Sequence, residues 1–288
     1  MTIVLQVDHL NKSYREKTIL KDISFHLEDS SVVALIGVNG AGKTTLINAI
    51  LELIPKDSGT IHFSIKNWRQ ITGVMMQDNL ILNRIKVKEI INLTRSYFKT
   101  PLSYNTLIDL SGLKESQNTF INQLSGGQKR RLSFVLALAG NPEILFLDEP
   151  TVGMDSIARQ DFWKSIAKLK RTGKTIFVTS HYLEELENIA DQILILEDRT
   201  LTFNGSLKQL RETSGKILIE FDSQLSAKIF NELASIVSVE QINQHYQIIT
   251  NDVKKTISEL SPFLQGIENL KIDQSSLNSI ILNYQEKR

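Results

Sequence analysis

A glycine-rich segment near residue 40 constrains this chain more than any other feature. Residues 37–45 read GVNGAGKTT and match the pattern G-x-x-x-x-G-K-[ST] of a phosphate-binding loop. An apolar, β-prone run at 32–36 precedes the segment, and a helix-like run at 46–51 follows it. Glycine lets a backbone approach phosphate oxygens closely, and the free N–H groups at a helix N-terminus attract negative charge. The strand, loop and helix together predict a nucleoside triphosphate site.

Two side chains of this loop have predicted tasks beyond binding. The Lys43 ammonium can reach the outer phosphates and stabilise charge on a transferred phosphoryl group, and the Thr44 hydroxyl can bind Mg²⁺. The predicted nucleotide-binding residues of the loop are Gly37, Val38, Asn39, Gly40, Ala41, Gly42, Lys43, Thr44 and Thr45.

The composition narrows the class of protein. The chain has 288 residues, of which 41% are hydrophobic and 23% charged, as is typical of a globular protein. A net charge of +1 gives no strong attraction to nucleic acid or to an anionic membrane. Because there is no cysteine, disulfides and thiolate metal sites are excluded. The first residues lack a signal-peptide pattern, and no apolar run approaches the roughly 20 residues that span a bilayer. Work at a membrane would therefore need another protein to hold the chain there.

Strand-like runs recur through the first 205 residues, with helical patterns between many of them. They lie at 3–7, 32–36, 60–63, 73–76, 144–147, 175–179 and 192–196. Helix-like periodicity at 87–98 and 104–110 predicts a helical subdomain at about 81–140. The whole pattern predicts an α/β nucleotide-binding domain at 1–212 with a mostly parallel sheet.

Beyond residue 212 the pattern changes to short strands and amphipathic helices. Strand-like runs lie at 216–221, 236–242, 246–250 and 267–272. Helix-like runs lie at 224–233, 253–263 and 277–284. This alternation predicts a small α+β accessory domain at 213–288, and the sequence leaves its role open.

A second motif places two carboxylates at the end of a predicted buried strand. Residues 144–150 read ILFLDEP, so that Asp148 and Glu149 follow four apolar residues. Open α/β sheets bind their ligands outside this end of the strands. We therefore expect Asp148 to bind Mg²⁺ and Glu149 to polarise an attacking water.

A third motif, LSGGQ at 124–128, opens a predicted helix and gives a second N-terminus with exposed N–H groups. In their order along the chain, the three motifs resemble those of the nucleotide-binding subunits of ATP-binding cassette (ABC) transporters. The resemblance covers about residues 3–205. It implies a P-loop NTPase fold that binds ATP and Mg²⁺ and hydrolyses ATP to ADP and phosphate.

The resemblance also implies roles for residues outside these motifs. Tyr14 matches the aromatic residue on which the adenine ring stacks. Gln77 matches the glutamine that contacts Mg²⁺ and the attacking water, and His181 matches the histidine that contacts the γ-phosphate. Asp155 matches a loop that crosses the interface between two such subunits.

A dimer follows from the same resemblance. In the family, the serine-glycine-glycine segment closes over ATP that is bound to the partner's phosphate loop. The residues that match this segment are Ser125, Gly126, Gly127 and Gln128. Because the chain carries one set of motifs, the resemblance implies pairing with a copy of itself or with a related chain.

A single cassette followed by a short α+β region resembles bacterial ABC-2-type exporters of drugs and antimicrobial or amphipathic peptides. This implies an ATPase that energises a separate membrane permease from the cytoplasmic face of the membrane. Toxin peptides such as phenol-soluble modulins are one candidate cargo. The alternatives are an importer ATPase and a soluble ABC ATPase that acts on ribosomes or DNA. The single cassette and the net charge of +1 argue against nucleic acid as a partner.

Overall fold

The computed structural model describes residues 2–77, 83–182, 185–214 and 217–274. The chain divides into two compact units, Met1–Ser206 and Leu207–Arg288. The strands of the first unit are β1 (Ile3–Tyr14), β2 (Lys17–Glu28), β3 (Val32–Ile36), β4 (Ser58–Phe63), β5 (Thr72–Met75), β6 (Ile144–Leu147), β7 (Thr175–Ser180), β8 (Gln192–Glu197) and β9 (Thr200–Gly205). Its α-helices are α1 (Lys43–Ile50), α2 (Val87–Ser96), α3 (Tyr104–Ser111), α4 (Gly126–Leu138) and α5 (Ser156–Arg171).

A six-stranded sheet forms the centre of the first unit, in the order β5-β6-β7-β3-β8-β9. All neighbours in this sheet are parallel except β8 and β9, which are antiparallel. Every residue of β3, β6 and β7 is buried, as expected for apolar strands covered on both faces. The predicted α/β class with a mostly parallel sheet is confirmed.

A smaller antiparallel sheet, in the order β2-β1-β4, packs against the central one. Phe25 of β2 stacks on Phe177 of β7 with ring centroids 5.6 Å apart. Helix α1 shares this core through Leu46, Ile47 and Ile50, whose side chains are fully buried. The buried apolar face of α1 therefore fixes the helix whose first residues end the phosphate loop.

Two strands of the first unit, β2 and β9, were not singled out by the sequence pattern. In β2 the register with β1 shifts near Asp22, whose φ of +54° is in the left-handed region. Such a bulge breaks the alternation by which a strand is recognised.

Helices α2, α3 and α4 lie between β5 and β6 in the chain and form the predicted helical subdomain. Their packed faces carry Val87 and Ile91 of α2, Leu107 of α3, and Leu132 and Val135 of α4, all fully buried. Short 3₁₀ turns at Lys114–Ser116 and Ile121–Gln123 connect α3 to α4. Helices α2 and α3 thus lie where the periodicity at 87–98 and 104–110 predicts them.

The second unit contains α6 (Leu207–Ser214), β10 (Ile217–Ser223), α7 (Ala227–Asn231), β11 (Ile236–Ile242), β12 (His245–Thr250), α8 (Val253–Leu260) and β13 (Ile267–Gln274). Its antiparallel sheet has the order β11-β12-β10-β13. From β10 onward the element order is βαββαβ, which with this strand order is a ferredoxin-like topology. The helix predicted at 277–284 lies outside the described residues.

An aromatic cluster forms the core of the second unit. Phe221, Phe230 and Tyr246 are fully buried, and their ring centroids lie 4.9 to 5.4 Å apart. Within the described ranges, no helix of either unit has the length and apolar character needed to cross a membrane.

Candidate nucleotide-binding and catalytic site

The phosphate loop joins β3 to α1 and depends on its glycines. Gly40 and Gly42 have φ values of +82° and +110°, in the left-handed region that favours glycine. At Gly37 an added Cβ would lie 2.6 Å from the carbonyl oxygen of Leu196. A larger residue would therefore strain the backbone at Gly40 and Gly42, and at Gly37 its Cβ would collide with the Leu196 carbonyl.

The loop presents its backbone outward. Val38, Asn39 and Gly40 are exposed, and the backbone N–H of Ala41 turns back to the carbonyl of Val38 at 3.1 Å. Gly42 at the start of α1 has no side chain to cap the helix, so the first helical N–H groups can bind an anion. Thr45 lies in this first turn.

Lys43 lies buried under the loop with its ammonium held by three groups. It donates to the carbonyls of Gly37 at 2.8 Å and Val38 at 3.1 Å. It also pairs with Oε1 of Glu149 at 2.9 Å, and the two side chains are only 4% and 5% exposed. Because both side chains are buried, removal of either one would leave the other as an unpaired charge in the protein interior.

Asp148 accepts hydrogen bonds from two hydroxyls. Thr44 Oγ1 donates to Oδ2 and Thr179 Oγ1 donates to Oδ1, each at 2.6 Å. Asp148 itself is fully buried. The carboxylate therefore has a fixed orientation beside the first turn of α1.

Glu149 follows Asp148 with an unusual backbone. Its φ is +44°, and its N–H donates to Thr179 Oγ1 at 2.8 Å. Its second carboxylate oxygen, Oε2, lies 3.4 Å from Nδ1 of His181, and the His181 ring packs on Tyr182. Glu149 thus lies between Lys43 and His181, where a carboxylate can orient a water or accept its proton.

The donor set can be tested for a metal ion. The Thr44 hydroxyl and the Asp148 carboxylate are hard oxygen ligands of the kind that Mg²⁺ prefers. In the part of the chain that the structure describes, no cluster of three or more His, Cys, Asp or Glu side chains could hold a metal. This set fits Mg²⁺, which commonly takes one or two protein ligands and completes its shell with phosphates and water.

Gln77 follows β5, and its carbonyl accepts a hydrogen bond of 2.8 Å from Arg130 of α4. Tyr14 ends β1, with its ring about half exposed and the Lys12 ammonium 5.1 Å from the ring centroid. Lys12 is buried and pairs with Asp57 at 3.3 Å. The Lys12 ammonium thus contacts the Tyr14 ring, and the exposed surface of the ring is available for stacking with another aromatic group.

The LSGGQ segment forms a capping box at the start of α4. Ser125 Oγ accepts from the N–H of Gln128 at 3.2 Å, and the Gln128 side chain accepts from the N–H of Ser125 at 2.9 Å. Gly126 is exposed, and a Cβ on Gly127 would lie 3.4 Å from the carbonyl of Gly153. The glycines thus leave the tip of α4 open.

Asp155 caps the neighbouring helix α5, where its carboxylate accepts from the N–H of Ala158 at 2.8 Å. Apart from Tyr14 and Gln77, the predicted site residues therefore occur in two places. Direct contacts unite Lys43, Thr44, Asp148, Glu149 and His181. The LSGGQ tip of α4 lies against the loop that leads to Asp155.

Sequence reasoning missed two residues of this site. Thr179 contacts both Asp148 and Glu149, and it is the polar end of an apolar strand, a pattern that could have identified it. Arg130 is 2% exposed and donates hydrogen bonds to four backbone carbonyls that follow two strands distant from it in the chain. Burial lowers the pKa of Arg130, and the carboxylates of Asp148 and Glu149 oppose that change.

Comparison with known proteins agrees with this geometry. A family profile described as "ABC transporter" matches residues 20–152. The chain is 30% identical over 252 residues to the Nod factor export ATP-binding protein I of Paraburkholderia xenovorans, covering 83% of each chain. It is 28% identical over 305 residues to the linearmycin resistance ATP-binding protein LnrL of Bacillus subtilis, covering 97% of each.

Solved structures agree in fold. A structure described as the ATP binding subunit of an ABC transporter superposes with a TM-score of 0.66 at 25% identity. The match covers 74% of this chain and 93% of that one. A nucleotide-free ATP-binding cassette from an ABC transporter matches in fold with a TM-score of 0.64 at 20% identity, covering 73% of this chain and 94% of that one.

Proposed function

Because the chain belongs to the ABC transporter family of ATP-binding subunits, we propose that it is the ATP-hydrolysing subunit of a membrane exporter. The family predicted from the three motifs and their order is confirmed. The observation that carries the catalytic assignment is the set of contacts among Lys43, Thr44, Asp148 and Glu149 at the phosphate loop.

Binding of ATP uses the loop backbone and two side chains. The N–H groups of residues 38–45 surround the phosphates, and the Lys43 ammonium neutralises the outer ones. The half-exposed Tyr14 ring stacks on adenine. Thr44 and Asp148, with Gln77, would hold Mg²⁺, which when bound neutralises charge on the phosphate oxygens.

Hydrolysis uses Glu149 as the base. Its carboxylate takes a proton from the attacking water as the water oxygen bonds to the γ-phosphorus. The bond from that phosphorus to the bridging oxygen breaks, and ADP leaves with the electron pair. Lys43 and His181 stabilise the charge that develops on the transferred phosphoryl group.

A complete site requires two nucleotide-binding domains. We assign residues 1–212 to this domain and residues 213–288 to an accessory domain; this boundary lies within α6, whereas the two compact units divide before that helix, between Ser206 and Leu207. Ser125, Gly126, Gly127 and Gln128 close over the nucleotide of the partner, and Asp155 belongs to the loop that crosses the interface. The exposed tip of α4 supports this assignment. The partner is a second copy or a related chain.

Export is the transport direction that the relatives support. The names of two relatives refer to Nod factor export and to linearmycin resistance, and the second aligns with 97% of this chain. We therefore place the protein at the cytoplasmic face of a membrane, bound to a separate permease. The proposed cargo is a drug or an antimicrobial or amphipathic peptide.

Two measurements test this function. Purified protein with MgATP is expected to release phosphate, and an absence of release with permease present would contradict the ATPase assignment. Tagged protein purified from native membranes is expected to bring a polytopic membrane protein at matching stoichiometry. Recovery with ribosomes or DNA and without such a partner would overturn the exporter and leave the ATPase intact.

A further inference from the structure

We propose that Arg130 is a positioning residue, which fixes the backbones of Gln77 and Glu149 to helix α4. The inference rests on the proposed ATPase function. It adds a residue that touches neither nucleotide nor water in that function. It acts through the two side chains that are proposed to contact the attacking water.

Each terminal N–H group of Arg130 has its own acceptor. Nη1 donates to the carbonyls of Met76 at 3.0 Å and Gln77 at 2.8 Å. Nη2 donates to the carbonyls of Asp148 at 3.0 Å and Glu149 at 2.5 Å. The first pair of carbonyls follows β5 and the second pair follows β6, so that one guanidinium bridges the ends of two adjacent strands.

Only arginine can make this pattern. The guanidinium is planar and directs its two terminal nitrogens as a fork, so that each nitrogen serves one strand end. Lysine has three donors on one nitrogen and cannot reach four carbonyls at once. Glutamine has two donors and no charge, and it would leave at least two of the carbonyls without this partner.

Burial makes Arg130 a poor choice for stability alone. The side chain is 2% exposed, and removal of a charge from water carries a large desolvation penalty. That penalty lowers the pKa of the guanidinium, while the carboxylates of Asp148 and Glu149 partly offset it. The burial of a charge is weak evidence that Arg130 stabilises the fold. Its hydrogen bonds to four carbonyls are stronger evidence that it fixes the positions of two strand ends.

The hydrogen bonds of Arg130 help to hold the backbone conformation of Glu149. Its backbone has a φ of +44°, a conformation that persists only when surrounding contacts hold it. Thr179 accepts from its N–H and Arg130 donates to its carbonyl, so the residue is held from both sides. Release of the carbonyl frees the peptide to relax and moves the carboxylate.

The test compares Arg130→Gln and Arg130→Lys with Arg131→Gln, which makes the same change of charge one residue along α4. Steady-state hydrolysis gives kcat and KM for MgATP, and binding of a fluorescent ATP analogue gives Kd. The melting temperature of each variant is measured, so that every assay is made below the temperature at which that variant unfolds. If Arg130→Gln does not fold, the same criteria apply to Arg130→Lys.

For Arg130→Gln we expect kcat to fall about 10- to 100-fold, because a misplacement of about 1 Å at the reacting groups has effects of this size. KM and Kd are expected to change much less than kcat, because the four carbonyls that Arg130 bonds lie outside the phosphate loop that binds the nucleotide. Arg130→Lys should keep an intermediate kcat, and Arg131→Gln should match the wild type.

Two results would overturn the inference. One is a kcat for Arg130→Gln within twofold of wild type. The other is a fall in kcat that Arg131→Gln shares, since that would indicate a general effect on α4. Failure of the wild type itself to hydrolyse ATP would instead contradict the proposed function.

Discussion

The phosphate-loop region of the first unit and the core of the second unit bury different kinds of polar side chain. The first buries Lys43, Arg130, Asp148 and Glu149, each at most 5% exposed. In residues 217–272 the buried polar side chains are hydroxyls, namely Ser223, Thr250 and Thr256. Thr250 and Thr256 bond each other at 2.7 Å.

The difference between buried charges and buried hydroxyls distinguishes residues that serve catalysis from residues that serve packing. A buried hydroxyl is satisfied by one or two neighbours, and the second unit provides them locally. Four buried charges demand partners with matched geometry, and hydrophobic residues of similar size would serve stability as well or better. A site of this kind therefore indicates function, whereas the hydroxyl network of the second unit indicates packing.

The largest expected effect comes from the substitution Glu149→Gln. We expect kcat for ATP to fall about 100- to 1000-fold, a size typical of the loss of one catalytic group. ATP binding should persist or tighten, because the Lys43 ammonium no longer has a carboxylate partner. Phosphate release and nucleotide affinity measure the two quantities separately.

Glu220→Gln is the matched control from the second unit. Glu220 lies on β10 and accepts a hydrogen bond from Gln247 at 2.7 Å, so the substitution again neutralises a bonded carboxylate. We expect kcat within twofold of wild type. An equal loss of activity in both variants would remove the distinction between the two regions.

Lys43→Met should have the next largest effect. The loss of a charged donor to phosphate is worth about 1.5–3 kcal/mol, and we therefore expect the Kd for ATP to rise about 10- to 100-fold. The substitution also leaves Glu149 buried without its cation, so the melting temperature should fall. Calorimetric titration with ATP measures the affinity.

Lys170→Met serves as its control, because Lys170 pairs with Asp191 at 2.6 Å and is 30% exposed. Such surface pairs are worth about 0–1 kcal/mol, and ATP affinity should not change. An unaltered Kd in Lys43→Met would contradict the role of the loop lysine.

The sequence predicted the loop, the two carboxylates and, apart from β2 and β9, the strands of the first unit, because each depends on local pattern. Gly42 needs a left-handed φ, and Asp148 follows an apolar strand, so both are visible in a short window. The polar end of an apolar strand marks Thr179 as a candidate, but neither its contacts nor those of Arg130 could be assigned in this way. Their partners lie at the ends of other strands, and only the sheet order brings those ends together.

Phe230→Ala tests the core of the second unit. Phe230 is fully buried against Phe221 and Tyr246, and its removal is expected to lower the free energy of unfolding by about 3–5 kcal/mol. Hydrogen exchange should lose protection in β10 and β12 and keep it in β3. Ile242→Ala, at a side chain 68% exposed, should change stability by less than about 0.5 kcal/mol. Equal loss of protection in β3 would show that the two units unfold together.

The smallest expected effect concerns Asp222 on β10. Hydrogen bonds from Asn269 at 2.7 Å and from His245 at 2.8 Å lower the pKa of its carboxyl below the ordinary value of 3.8. The pKa values of Arg130 and Asp222 are both lowered, but the effects on their charged forms are opposite. In Arg130 burial disfavours the charged form, whereas in Asp222 the hydrogen bonds favour it.

Asn269→Gly should therefore raise the pKa of Asp222 toward its ordinary value. Glycine suits the φ of +53° at this position, so the change removes the amide without backbone strain. Since the native pKa lies below the unfolded one, its contribution to stability is present above about pH 5 and is lost as the pH falls below about 4. Carboxyl NMR titration measures the pKa, and Asn243→Gly, at a φ of +58° in the β11–β12 turn, is the control. An unchanged pKa in Asn269→Gly would assign the shift to His245 and to the charge of Lys271, which also lower the pKa of this carboxyl.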